Sequence, residues 1–298
     1  MDIEQLKERI CTAVDAMRDQ LLGVARAIHA KPELAFQEHE SAAHLVGLLR
    51  GAGLEVSEGA YGLETAFSAE FGPEDGPCVA LLAEYDALPG IGHACGHNLI
   101  AVAGAGAGLA LAGLGEWLPG RVRLLGTPAE ERGCGKELMA REGALEGVDA
   151  AMMMHPSSLN MVTMPCMAMA ELEIVYHGRS AHAAAMPQQG INALDALVIG
   201  YQGVAALRQH IGGDERIHGI ITDGGQAPNI VPERTAGRFY ARAANFEALE
   251  PLKRRVEACF RAGAEATGCE VEVHWGAADY RDILFNEPLA EAFRSNAE

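Results

Sequence analysis

The chain has 298 residues, 41 of them acidic and 23 basic, for a net charge of −18, and 49% of its residues are hydrophobic. That length supports a large core and two domains, and the composition is that of a globular protein. The acidic balance argues against nucleic acid or an anionic membrane surface as a partner, since both need positive patches. The seven cysteines are scattered, with no CxxC pair and no secretory signal pattern at the N-terminus. They read as thiols of a reduced, cytoplasmic protein, most of them small buried hydrophobes.

Ile3, Leu6, Ile10, Val14, Met17 and Leu21 recur at helical spacing and predict an amphipathic opening helix, which ends before Pro32. A second helix is predicted over 38–50 and strands over 65–71 and 78–83. Residues 99–115 carry no charge but are mostly Ala and Gly. They read as a buried helix packed through small side chains, being too short and too weakly apolar for a membrane span. Strand, loop and helix then alternate up to Met154, the pattern of a mostly parallel sheet with covering helices. Functional groups in such sheets gather outside the carboxyl ends of the strands.

A different unit begins near Met167. Strands are predicted over 171–176, 217–222, 235–242 and 269–274, with helices over 191–210 and 246–267. This βαββαβ order is that of a ferredoxin-like split-βαβ domain. Two helices cover one face of its sheet, and an edge strand is left able to pair with a second subunit. The division is therefore 1–167, 168–278, and a last segment 279–298 that begins another helix.

The chemistry concentrates after the apolar run Val79-Ala80-Leu81-Leu82-Ala83, in Glu84-Tyr85-Asp86-Ala87-Leu88-Pro89-Gly90-Ile91-Gly92-His93-Ala94-Cys95-Gly96-His97-Asn98. Carboxylates, imidazoles and a thiol on a Gly/Pro loop after a strand point to a transition-metal site. Two more predicted strands end in ligand types, one in Pro128-Ala129-Glu130-Glu131 and one in His155-Pro156. Cys95 and His97 can bind one metal together or serve two neighbouring metals, and a cation stabilises the thiolate. Without Glu131 and His155 at neighbouring strand ends, a buried cysteine beside a structural histidine would be the simpler reading. Glu130 and Glu131 are adjacent and point in different directions, which suits a division of labour. Asp86 alone reads equally as a turn cap before Pro89, His93 as support for its loop, and Arg242 as an exposed strand charge.

Taken together these motifs resemble those of the dinuclear metal-dependent amidohydrolases and peptidases that include aminoacylases, hippurate hydrolases, indole-acetyl-amino-acid hydrolases and aminobenzoyl-glutamate hydrolases. The Glu84–Pro89 and His93–Asn98 strings look most like the aminobenzoyl-glutamate hydrolase and β-alanyl-lysine dipeptidase branch. Further matches are Ile28-His29-Ala30-Lys31-Pro32-Glu33-Leu34, Met154-His155-Pro156, Gly178-Arg179-Ser180-Ala181-His182-Ala183-Ala184 and Ala227-Pro228-Asn229-Ile230-Val231-Pro232. The resemblance implies an α/β metallopeptidase catalytic domain in 1–167 and an inserted βαββαβ dimerisation or lid domain in 168–278. It implies a return to the catalytic domain in 279–298, with the C-terminal part of that domain absent. It also implies a further ligand histidine near the C-terminus, and no histidine follows His274.

For the site, the resemblance implies two divalent metals held by Cys95, His97, Glu131 and His155. Zinc or manganese is expected, with cobalt and nickel as further options. Glu130 is implied as the general base, Asp86 as the residue orienting His97, and His182 as an oxyanion stabiliser reaching the other subunit. Asn229 and Arg242 are implied as the grip on a substrate carboxylate. The expected reaction is hydrolysis of an amide in an N-acyl amino acid, dipeptide or aminobenzoyl-glutamate-like substrate by a metal-activated water, in a homodimer formed through the small domain. The alternatives are a catalytically impaired binding homologue lacking the last ligand, or a mononuclear zinc hydrolase or deaminase.

Overall fold

A computed structural model describes residues 1–297, which divide into two compact units, Met1–Asn160 and a second beginning at Met161. The first unit opens with helices α1 (Ile3–Ala30) and α2 (His39–Gly51). Asp2 caps α1 by accepting the Gln5 N–H, and Gln5 returns a bond to the Asp2 N–H, a capping box that fixes the start of the helix. The chain then adds β1 (Ser57–Glu58), β2 (Phe67–Phe71), β3 (Cys78–Glu84), α3 (His97–Ala112), β4 (Arg121–Thr127), α4 (Gly135–Arg141) and β5 (Ala150–Met152).

The strands form one sheet in the order β1-β2-β4-β3-β5. β3 runs parallel to both β4 and β5, while β1 and β2 add an antiparallel edge. The sheet is thus mixed, parallel where β3, β4 and β5 deliver their carboxyl ends side by side. α1, α2 and α3 bury one face with Leu45, Leu49, Ala101, Ala105 and Leu124, and α4 covers the other with Met139 against Ala80 and Leu125. The small residues of α3 have a physical reason. A Cβ on Gly104 would lie 2.8 Å from the Leu82 carbonyl oxygen, and one on Gly106 would lie 2.9 Å from Leu21 Cδ1. The uncharged segment is therefore a close-packed core helix, and no helix among the described residues is long and apolar enough to cross a membrane.

The second unit contains β6 (Ala168–His177), α5 (Ala193–Leu207), β7 (Arg216–Asp223), β8 (Arg234–Ala243), α6 (Phe246–Thr267), β9 (Glu270–Trp275) and α7 (Glu287–Ala297). Its sheet has the order β7-β8-β6-β9, antiparallel throughout, the ferredoxin-like arrangement expected of βαββαβ. Leu172, Ile174, Tyr176 and Phe239 point to the α5–α6 side and form a separate core with Val204, Val256 and Phe260. β7 is an outer strand with Ile220 and Ile221 exposed. Tyr280 pairs back onto Met169, and the Asp282 carboxylate accepts the Phe246 N–H.

Candidate metal centre

The site is built where β3, β4 and β5 end. Glu84 is the last residue of β3, opposite Thr127 at the end of β4, and both are buried. Beyond them the chain turns away into loops that carry the polar groups. Gly96 is required in the first loop: its φ is +78°, and a Cβ there would lie 2.7 Å from Pro156 Cγ. Only glycine lets the Cys95-Gly96-His97 loop and the segment after β5 meet this closely. His97 and His155 rings accordingly lie edge to face at 6.1 Å.

His97 is the hub. It is 1% exposed, and its Nδ1 sits 2.9 Å from Asp86 Oδ1. The other Asp86 oxygen accepts the Glu131 N–H at 2.9 Å, so one carboxylate sets the ring and the Glu131 backbone together. With Nδ1 donating to Asp86, Nε2 is directed at Glu84 (3.5 Å), Glu130 (3.7 Å) and Glu131 (3.7 Å). These separations are too long for hydrogen bonds, and Nε2 of His97 and Oε2 of Glu84 have no hydrogen-bond partner although both are buried. His155 donates Nδ1 to the Pro156 carbonyl at 2.8 Å, which frees its Nε2 as a ligand atom. Two donor groups compact enough for a metal ion result, Glu84–His97–His155 and His97–Glu130–Glu131.

The electrostatics fit a cation. The Cys95 thiol hydrogen-bonds to Glu131 and is partly buried beside Glu130 and Asp86, which pushes its pKa up to about 12. Burial and the Glu84 charge raise the Glu130 carboxyl. Burial opposes a charge on His97, but the Asp86 bond and the surrounding carboxylates outweigh it and hold the ring's pKa above its ordinary value. Burial likewise opposes charge on Asp86, yet the bonds from His97 and the Glu131 N–H hold its carboxyl below the usual range. This much negative charge around an imidazole, with buried ligand atoms left unpaired, could hold a divalent transition metal.

Among the sequence-predicted residues, Cys95, His97, Glu130, Glu131, His155 and Asp86 come together here. Glu84, to which sequence reading gave no role, belongs with them. Its signal was an acidic residue continuing an apolar strand, since a charge is buried only for a reason. Lys136, in the first turn of α4, contacts Glu84 Oε1, and no sequence pattern pointed to it. Beside Glu131 lies a cavity of about 300 Å³ lined by Leu34, Phe36, Pro89, Arg132 and Gly133 among others.

The remaining predicted residues lie in the second unit. The N–H groups of Ala184 and Ala185 both donate to His182 Nδ1, at 3.2 and 3.1 Å. Asn229 is adjacent, its carbonyl accepting the Ala183 N–H at 3.0 Å, and His182 forms a β-bridge with Ile230. Arg242 is not with them. It pairs with Met169 and Arg216 at one end of the sheet, whereas Arg234, nearer in sequence to Asn229, pairs with His177 at the other. The eight-residue step from Arg234 to Arg242 spans about 26 Å of strand at the usual rise. A single chain does not bring Asn229 and Arg242 to one small carboxylate.

A model of peptidase family M20/M25/M40 matches residues 80–298. The chain belongs to this family. Membership makes it a hydrolase of amide bonds. It is 41% identical over 310 residues to a Xaa-Arg dipeptidase of Mus musculus, covering 100% of this chain and 72% of that protein. It is 33% identical over 300 residues to one of the subunits of p-aminobenzoyl-glutamate hydrolase of Escherichia coli, covering 93% of this chain and 62% of that protein. In fold, this M20 chain resembles an aminobenzoyl-glutamate utilization protein of Klebsiella pneumoniae, with TM-score 0.82, 19% identity, and coverage of 97% and 82%. It also resembles a dinuclear metal binding peptidase of the M20 family from Bacillus subtilis, with TM-score 0.69, 23% identity, and coverage of 95% and 80%.

Proposed function

We propose that this M20 chain hydrolyses the amide bond of a small dipeptide, N-acyl amino acid or aminobenzoyl-glutamate-like substrate at a site for two divalent metals. The observation that carries this reading is the unpartnered Nε2 of buried His97 facing three carboxylates, with His155 beside it. His97, Glu131, His155 and Cys95 are the proposed ligands, with Glu84 at hand as a further donor, and zinc suits the thiol best. Bound cations supply Lewis-acid polarisation of the carbonyl and an acidified water.

The rest of the work falls to the chain. Asp86 fixes the His97 tautomer through Nδ1 and the Glu131 backbone through its second oxygen. Glu130 takes the proton of the attacking water as the C–O bond forms, then delivers it to the leaving nitrogen as the C–N bond breaks, giving a carboxylate and an amine. The cavity beside Glu131 offers an apolar wall to a substrate side chain.

His182 is proposed to donate to the developing oxyanion. Its Nδ1 already accepts two backbone N–H groups, so the neutral ring carries its proton on Nε2, as a donor needs. Arg242 and Asn229 are proposed to hold substrate polar groups. Their separation within one chain supports contributions from two copies, in a homodimer through the small unit, and the exposed isoleucines of the β7 edge support the same contact.

The test of the reaction is metal content of the purified protein read together with hydrolysis of a dipeptide panel. Bound divalent metal with chelator-sensitive hydrolysis supports it, and a metal-replete protein without hydrolysis contradicts it. The test of the dimer is complementation. Mixed His182→Ala and Glu130→Gln proteins should regain activity, because a mixed dimer holds one site with both residues intact. Subunit exchange without regained activity rules out action across the interface.

A further inference from the structure

Glu38 lies far in sequence from every proposed ligand. It directly precedes α2, yet its carboxylate makes no cap for that helix. The side chain is wholly buried and turns to the loop after β4. Oε1 accepts the Ala129 N–H at 2.8 Å, and Oε2 accepts the Thr65 hydroxyl at 2.9 Å. The Thr65 carbonyl in turn accepts the hydroxyl of fully buried Tyr85 at 2.7 Å.

Ala129 is an unusual residue to hold in this way. It is fully buried, and its φ of +59° is left-handed, a conformation that an L-residue with a Cβ adopts only when its surroundings impose it. The Ala129 carbonyl accepts the Gly135 N–H at 3.1 Å, which closes the loop. The next two residues are Glu130 and Glu131, and the Glu131 N–H is held by Asp86. Two buried acids thus grip one short turn, Asp86 at Glu131 and Glu38 at Ala129. A buried carboxylate is a costly way to satisfy one N–H and one hydroxyl, but a charge-assisted acceptor holds a backbone group more firmly than a neutral one.

We infer that Glu38 is a positioning residue: by holding the Ala129 N–H it imposes the left-handed turn that aims Glu130 and Glu131 at His97. The inference rests on the metallohydrolase reading of that site. Without Glu38, Ala129 relaxes toward an ordinary conformation and the two carboxylates swing out of register with the imidazoles.

The test uses the full chain, stripped of metal and titrated with cobalt(II), together with kcat and KM on a dipeptide and the melting temperature of the metal-free protein. Glu38→Ala should weaken cobalt affinity and lower kcat at least about tenfold, as loss of a supporting residue does, with KM unchanged. Glu38→Gln should fall between wild type and Glu38→Ala in both, because the amide oxygen still accepts from Ala129, less firmly without the charge, and the amide NH₂ can donate to Thr65. In the Glu38→Ala/Ala129→Gly protein much of the loss should return, since glycine adopts the left-handed turn without a clamp. A purely structural role would lower the melting temperature while leaving cobalt affinity alone, and glycine would rescue nothing. Wild-type cobalt affinity in folded Glu38→Ala overturns the inference. If that variant does not fold, Glu38→Asp replaces it: its carboxylate falls one methylene short of Ala129, and wild-type affinity there is equally fatal. The wild-type protein separates the two ideas. Failure to bind metal or hydrolyse amides in the wild type overturns the metallohydrolase reading, whereas a Glu38→Ala protein that binds cobalt as the wild type does overturns only the role of Glu38.

Discussion

The two units of this chain keep their polar groups differently. In the second unit every buried side-chain nitrogen and oxygen among the described residues has a hydrogen-bond partner, while the first leaves Glu84 Oε2, His97 Nε2, both ring nitrogens of His93 and Arg121 Nε without one. Among the described residues, the four non-glycine residues with left-handed backbones, Phe36, Tyr61, Ala129 and Cys134, also all lie in the first unit. Unpaired polar atoms and backbone strain both cost stability, and a fold that only needs to persist removes them. The ferredoxin-like unit has done so. The first unit retains them, and Glu84, His97 and Ala129 among them lie at the strand ends where the proposed chemistry lies.

The contrast makes predictions. The largest effect is expected at Glu130. Glu130→Gln should keep bound metal and lose turnover by about a hundredfold or more, the usual share of a general base, measured by kcat beside metal analysis. A Glu130→Gln enzyme with full activity would break the assignment of chemistry to this turn. In the second unit a core truncation should act on stability alone. Phe260 is fully buried and packs on Phe239 with ring centroids 4.6 Å apart, so Phe260→Ala should cost about 3–5 kcal/mol in denaturant unfolding. Metal bound per folded molecule should not change. Loss of metal affinity in that variant would show that the two units are not separable in this way.

Smaller effects sharpen the same division. Asp86→Asn keeps the shape but loses the charge that fixes His97 and Glu131, and should weaken metal affinity about 10–100-fold with little change in the fold by circular dichroism. Tyr176 donates its hydroxyl to the Phe260 carbonyl at 2.7 Å. Tyr176→Phe should cost about 1 kcal/mol in unfolding and nothing in metal binding, and an unchanged unfolding midpoint would show that this bond adds no stability.

Much of this division is legible in the sequence, because it follows from periodicity and residue type. Helical spacing located α1, the apolar run of 79–83 located β3, and the alternation of 171–176 located β6. Cys95, His97, Glu130, Glu131 and His155 stand out because ligand types follow predicted strands. Periodicity is blind to strand direction, so the antiparallel edge formed by β1 and β2 was not visible. The strand predicted to run into His155 stops at Met152, on the outer edge of the sheet. Register was decisive for Arg242: the family resemblance implied a joint grip with Asn229, and the extended strand between them separates the pair within one chain. Glu38 and Lys136 were invisible for another reason, since their partners Ala129 and Glu84 meet them only when distant loops close over the sheet.

The central claim is that Cys95, His97, Glu131 and His155 bind divalent metal. Titrating metal-free protein with cobalt(II) tests it most directly, because a thiolate ligand adds a charge-transfer absorption band that oxygen and nitrogen ligands do not. A saturable band is expected in the wild-type protein and none in Cys95→Ala, with that variant still folded and its cobalt affinity reduced. A wild-type protein that takes up no cobalt, or a Cys95→Ala protein with an unchanged band, would contradict the claim.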